Sequence, residues 1–214
     1  MAGTKTVTRV HNAEPTWEIA ELFPRQGKWS EEEYLALPDN RLLELSNGFL
    51  EVLPMPTTSH QALVAYLYRV FLSFLSQHDL GKVFFAPMRV RLWRGKFREP
   101  DLVLMLKDHA RRMREEFWEG ADLAVEVLST DPKDRRRDLV LKRREYARAR
   151  IPEYWIVDPQ ERTITVLRLA GTRYVSHGSY AGGSQATSHL LSGFRVDVSA
   201  SFAEMDAALR SPAR

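Results

Sequence analysis

Residues 98–106 read Arg98-Glu99-Pro100-Asp101-Leu102-Val103-Leu104-Met105-Leu106, and residues 122–129 read Asp122-Leu123-Ala124-Val125-Glu126-Val127-Leu128-Ser129. Each is a short apolar run with a carboxylate set into it or at its head, which predicts strands over 101–106 and 122–129. A basic run from Lys133 then leads into a predicted helix from about Arg137 to Ala149. Ile151-Pro152 stops that helix, and Tyr154-Trp155-Ile156-Val157 reads as a buried strand. Strand, helix and strand in that order point to a mixed α/β (α+β) domain, a central mixed β-sheet flanked by helices.

Working outward toward the N-terminus, Val83 to Trp93 reads as one strand, turned by Arg94-Gly95-Lys96 into the strand at Asp101. A helix from about His60 to Gln77 precedes it, capped by Thr57-Thr58-Ser59. Its residues Leu63, Val64, Leu67, Val70, Phe71, Phe74 and Leu75 recur at three- and four-residue steps and so form one buried face. Asn47-Gly48 between Leu42–Ser46 and Phe49–Leu53 is a two-residue hairpin signal. Ser30 with Glu33 spells a capping box ahead of a short helix that ends before Pro38. On the C-terminal side, 107–120 is polar and basic, a loop or short helix. Thr163–Leu169 and Tyr174–Tyr180 form a hairpin through Gly171, 181–188 is a loop, and a helix over Phe202–Leu209 closes the chain.

The chain has 214 residues, 44% hydrophobic and 28% charged, enough for one domain with a full core. Residues 1–28 are expected to be a flexible tail and 29–210 a single domain. No apolar run reaches the ~20 residues a membrane span needs, and Met1 to Pro15 lacks a signal peptide's apolar segment, so a cytoplasmic protein without membrane partners is expected. With no cysteine, disulfides, thiolate metal sites and cysteine nucleophiles are excluded. The net charge of +3 hides arginine clusters. Arg111-Arg112 and Arg135-Arg136-Arg137 suit a phosphate backbone, while a solvated basic surface is the plain alternative.

Mg²⁺ and Mn²⁺ take hard oxygen ligands, commonly one or two carboxylates with water and substrate phosphate. Asp101 and Glu126 supply such a pair. Strand alternation places Glu126 with Asp122, Ala124 and Leu128, opposite Leu123, Val125 and Val127 toward the core. A carboxylate in so apolar a strand is costly unless paired. A bound metal and an ion pair with a helix arginine both answer that. On the helix, Asp138, Lys142 and Tyr146 share one face at four-residue spacing. His60 opens its helix and could contact phosphate or simply be a polar helix start. Glu44 is a further acidic candidate, with a solvent-facing strand residue as the alternative. Tyr154 and Trp155 are expected in the core.

Several blocks taken together, Leu43-Glu44-Leu45-Ser46-Asn47-Gly48, Pro54-Met55-Pro56 with His60, Pro100-Asp101-Leu102, Glu126-Val127-Leu128-Ser129, Arg137-Asp138-Leu139 to Lys142, Tyr146 and Ile151 to Pro159, resemble the bacterial Uma-two family of endonucleases. That family falls within the PD-(D/E)XK superfamily, so the resemblance implies a restriction-endonuclease-like fold. It further implies a metal-dependent endonuclease using Mg²⁺ or Mn²⁺ and acting on nucleic acid, DNA before RNA, with a homodimer to cut both strands. Asp101, Glu126 and the main-chain carbonyl of Val127 would hold the ion. Lys142 would be the catalytic lysine, displaced to the helix from its usual place two residues after the glutamate, here Leu128. Glu44 would be a further carboxylate, and His60, Arg111, Arg112 and Arg135 to Arg137 would contact the nucleic acid. The rival is a nuclease-fold protein that binds nucleic acid, or acts as a scaffold, without turnover.

Overall fold

The structure, a computed structural model, describes residues 24–37 and 42–210. Most of the expected tail, 1–23, and the expected helix stop at Pro38 lie outside the described residues. Residues 25–28, also expected in the tail, are bonded to the hairpin: Gly27 N–H donates to the Gly48 carbonyl at 2.7 Å. The Gln26 side chain bonds both main-chain groups of Leu50.

Helix α1 (Glu31–Leu35) carries the capping box that Ser30 and Glu33 predict. Strands β1 (Leu43–Ser46) and β2 (Phe49–Val52) pair antiparallel across Asn47-Gly48, both with positive φ, as a two-residue hairpin turn requires. Gly48 stands at φ +84, where an added Cβ would lie 2.7 Å from the Gly27 carbonyl oxygen. Gly48→Ala should therefore cost about 1–3 kcal/mol, read as a fall in thermal midpoint. Gly171→Ala, also at positive φ but with nothing within 4 Å, should cost less. Equal losses would show that only the dihedral matters.

Helix α2 (Thr58–His78) starts at Thr57, whose side chain accepts the His60 N–H, and buries Leu63, Val64, Leu67, Phe71 and Leu75. The expected single strand over 83–93 is two strands in two sheets, β3 (Gly81–Phe85) and β4 (Val90–Trp93). Pro87 between them has no N–H to give a ladder. After the turn at Gly95 the chain does not pass straight to Asp101. It first forms β5 (Lys96–Arg98), which pairs with β1 and β4, and Pro100 ends that strand. Next come β6 (Leu102–Leu106), a 3₁₀ turn at Lys107–Arg112, β7 (Trp118–Glu119) and β8 (Leu123–Val127).

Helix α3 (132–148) begins earlier than the periodicity suggests, because Asp131 caps it and Pro132 occupies the first turn. Its middle, Arg137–Lys142, is π-helical. That wider turn exposes three consecutive apolar residues, Leu139, Val140 and Leu141, while Asp138 and Lys142 stay buried. The chain ends with β9 (Glu153–Asp158), the hairpin β10 (Thr163–Ala170) and β11 (Arg173–Tyr180), the pair β12 (Gln185–Thr187) and β13 (Arg195–Asp197), and α4 (Val198–Leu209). The segment 181–188, expected as loop, contains β12.

Six strands form a mixed sheet in the order β11-β10-β9-β8-β6-β3, and five form a second in the order β2-β1-β5-β4-β7. Only β8 and β9 run parallel in the larger sheet, joined by α3 as a parallel pair demands. Both faces of β8 are covered. Leu123, Val125 and Val127 pack with α2 and with Trp155 and Phe194. Ala124 and Leu128 pack with Tyr146 and Tyr154 on the α3 side. Tyr154 and Trp155 are core residues at 0% exposure, as expected. Glu126 thus faces a buried layer under α3, and its surroundings decide what it can do.

Candidate active site

β6 and β8 are antiparallel, with Leu102 opposite Val125, so Asp101 and Glu126 come to the same end of the sheet. One Asp101 oxygen, Oδ2, accepts the Val127 N–H at 2.7 Å and the His60 Nε2 at 3.1 Å. Burial alone would lower the His60 pKa, but the hydrogen bond to Asp101 and the charges of Asp101, Glu126 and Asp138 raise it. Its Nδ1 is buried without a partner.

Glu126 Oε1 accepts from Tyr146 Oη at 2.6 Å and lies 2.8 Å from Lys142 Nζ. The pairing partner for this buried carboxylate is therefore a helix lysine, not an arginine. Lys142 also stands 3.3 Å from Asp138 Oδ1 and 3.7 Å from Glu44 Oε1. Burial opposes its charge, yet three surrounding carboxylates outweigh that and hold it protonated. Burial lifts Glu126 well above the ordinary carboxylate range, with Asp138 and Asp101 adding to the rise and Lys142 opposing it.

A cleft of about 400 Å³ opens over this floor, with Asp101, Glu126, Asp138, Lys142, His60 and Arg137 in its lining. Glu44 is brought to the cluster but not to the cleft. It is not the solvent-facing residue that the strand pattern allowed. It is fully buried behind Lys142, ion-paired to Arg98 and accepting the Glu99 N–H at 3.0 Å. Burial pushes its pKa up, but Lys142 and Arg98 pull it well below the usual range. Glu44 is thus a permanent anion that holds Lys142 from the rear.

The arginine clusters divide. Arg137 lines the cleft, paired with Asp134 at 3.0 Å and 3.6 Å from Asp138. Arg136 is exposed nearby, whereas Arg135 grips Asp158 through both terminal nitrogens at 3.0 and 2.6 Å. Arg111 and Arg112 follow the far end of β6, roughly 16 Å of strand from Asp101. Arg112 is spent on the Glu119 carbonyl at 2.7 Å, with Asp122 3.7 Å away. The expected placement of Arg111 and Arg112 beside the carboxylates is therefore wrong, because the antiparallel β6–β8 ladder sends the two ends of β6 in opposite directions.

Behind the site, periodicity concealed a second layer of charge. Arg98, at 0% exposure, meets Glu44, Glu51 at 2.5 Å and Glu145 at 2.7 Å, and Lys96 meets Glu145 at 2.7 Å. The only signal for it was the charged string Arg98-Glu99-Pro100-Asp101 running straight into an apolar strand. Glu99 in that string is buried, its Oε2 without a partner, and burial with the nearby Glu44 raises its pKa to about 8. Relative to the ordinary 4.5, the folded protein holds this proton more tightly. Stability from it is full below pH ~4.5 and is lost as pH rises through about 8, by up to a few kcal/mol at ~1.4 kcal/mol per pH unit. Glu99→Gln should be more stable than the parent at pH 9 and close to it at pH 5. Denaturant midpoints at both pH values check this, and parallel curves would refute it.

Hard-oxygen donors are present for a magnesium-class ion. No hydrogen bond among the described residues falls on Asp101 Oδ1 or Glu126 Oε2, and Mg²⁺ keeps waters for most of its remaining positions. Among the described residues no three His, Asp or Glu side chains group as a metal cluster, so two carboxylates with a main-chain carbonyl are the donor set that fits.

The family model described as "Uma2: Putative restriction endonuclease" matches residues 31–199. A crystal structure described as "a putative nuclease belonging to DUF820" from Anabaena variabilis is similar in fold. It shares 17% identity over 83% of this chain and 99% of that one, with a TM-score of 0.65. Among curated proteins, none matches. Among the described residues, no helix is long and apolar enough to cross a membrane.

Proposed function

This chain belongs to the Uma2 family, and from that membership we propose that it is a metal-dependent endonuclease that hydrolyses phosphodiester bonds, in DNA before RNA. The observation that carries the proposal is the meeting of Asp101, Glu126 and a protonated Lys142 on the floor of one cleft. Asp101 and Glu126, with the main-chain carbonyl of Val127, would hold Mg²⁺ or Mn²⁺. The ion supplies a Lewis acid that acidifies bound water and offsets charge on the phosphate.

The chain's own residues do the rest. The Val127 N–H and His60 fix Asp101, while Tyr146 and Lys142 fix Glu126. Lys142, kept charged by the carboxylates around it, stabilises the negative charge that grows on the phosphoryl oxygens as water adds and the ester oxygen leaves. His60 Nδ1, buried at the cleft without a partner, can donate to a phosphate oxygen when the ring is protonated. Arg137 contacts the backbone beside the scissile bond.

A second reading, binding without turnover, draws on Leu128. It stands where the superfamily's lysine is usual and is buried in the core. Incubation with Mn²⁺ and Mg²⁺ of supercoiled plasmid, single-stranded DNA and RNA separates the two. Cleavage by the wild type that is lost in Asp101→Ala supports the nuclease. Binding without cleavage in either metal overturns it.

A further inference from the structure

The cleft has two unlike sides. Its floor is ionic, but the opposite wall is the segment Leu53-Pro54-Met55-Pro56, with Leu42 and Met205 beside it. Met55 is 84% exposed, the most open large apolar residue among those described. Cationic groups are few here. Among the described residues of the lining they are His60, Arg137 and Lys142, and Lys142 is only 2% exposed, saturated by carboxylates. Arg135 is tied to Asp158, and Arg111 and Arg112 stand at the far end of β6.

Tracking a duplex takes a row of free lysines and arginines, one per phosphate neutralised. This cleft offers an apolar shelf instead. The floor is also recessed, with Glu126 at 3% exposure and the Asp101 side chain at 16%, so a phosphate must descend into about 400 Å³ to reach it. Duplex DNA is stiff, with a persistence length of about 50 nm, and its paired bases cannot leave the stack without a cost of a few kcal/mol. A single strand bends freely and already offers its base faces.

Taking the nuclease proposal for what sits on the floor, we infer that the substrate enters as an unpaired strand. The base next to the scissile phosphate leaves its neighbours and lies on the Leu53–Pro56 shelf. Met55 closes over it, its flexible thioether fitting any of the bases by dispersion rather than by hydrogen bonds. Choice of substrate then rests on strandedness and not on sequence. Unpaired tails, bubbles and frayed ends are the substrates, and intact duplex is excluded.

Fluorescence anisotropy in EDTA, where no metal-dependent cleavage intervenes, tests this with one labelled 20-mer. The strand is presented alone, with its full complement, and in a duplex carrying a central mismatched bubble. The single strand and the bubble should bind at least tenfold more tightly than the duplex. The slope of log K against log salt for the single strand should be no steeper than about −2, since each phosphate contact contributes ~0.7. Met55→Ser, at so exposed a position, should fold normally and weaken single-strand binding about five- to tenfold.

Equal affinity for duplex and single strand, a steep salt slope, or no effect of Met55→Ser would each overturn the inference. The last result would leave the shelf to a protein partner. Cleavage run in parallel with Mn²⁺ keeps the two proposals apart. Strand preference without cleavage removes the nuclease and leaves the shelf, while cleavage of all three forms without preference removes the shelf and leaves the nuclease.

Discussion

Lys142→Met should lower Mn²⁺-dependent cleavage about 10³-fold, close to 4 kcal/mol of barrier at ~1.4 kcal/mol per tenfold. The methylene chain survives and the charge does not. Two things then fail together. The charge growing on phosphate loses its partner within the cleft, an effect measured elsewhere at 10²–10³ for a single lost donor. Glu126 also loses the cation that opposes its protonation, so it stays neutral to higher pH. Residual activity of the variant should therefore climb toward alkaline pH, beyond the range where the parent levels off. A rate–pH profile over 6–10 checks this, and Lys142→Arg should recover part of the rate. A folded Lys142→Met within tenfold of the parent would remove the lysine from the mechanism.

Arg98→Met should be the most damaging change outside the cleft. The guanidinium is wholly buried and serves Glu44, Glu51 and Glu145 at once. Removing it leaves the fully buried Glu44 and the largely buried Glu145 short of a cation, and breaking a buried pair costs about 3–5 kcal/mol. For a domain of this size that is a fall in thermal midpoint of about 10 °C or more. Arg98→Lys should recover little, because one ammonium cannot reproduce a fork that reaches three carboxylates. The loss should shrink in acid, where Glu145 and Glu51 can take up protons, and grow toward neutral pH. Urea denaturation at pH 5 and 7.5 measures both. A loss under 1 kcal/mol would mean that water reaches Glu44 once the arginine is gone.

Which parts of this were legible in the chain follows from the range of the forces involved. The Asn47-Gly48 hairpin, the Thr57 cap and the apolar face of α2 are local matters of dihedral and period, and they stand where the sequence puts them. Asp101, Glu126 and Lys142 stood out because charge in an apolar strand, or at four-residue spacing on a helix, is visible in one dimension. Strand β5 was hidden, because Lys96-Phe97-Arg98 looks like the exit of a turn until its partners in β1 and β4 are known. The Arg98 network was hidden for the same reason, since four of its carboxylate and ammonium groups arrive from other elements. Arg111 and Arg112 were misplaced because nearness in sequence says nothing about which end of a strand a residue leaves from. Tyr146 was seen to share a face with Lys142, but that its hydroxyl would seat Glu126 needed the β8–α3 packing.

The π turn at Arg137–Lys142 has a consequence at the level of the gene. Such a turn carries an extra residue relative to an α-helical one, and here that surplus is three nucleotides. Deleting the codon for Val140, an exposed residue, would restore regular helix and rotate everything before it against everything after it by about 100°. Asp138 and Lys142 could no longer both face Glu126. A deletion that repairs the helix thus disarms the cleft, although no charged residue is lost from the chain. Among descendants of such a gene, codon count between Arg137 and Lys142 separates those that keep the site from those that only keep its letters.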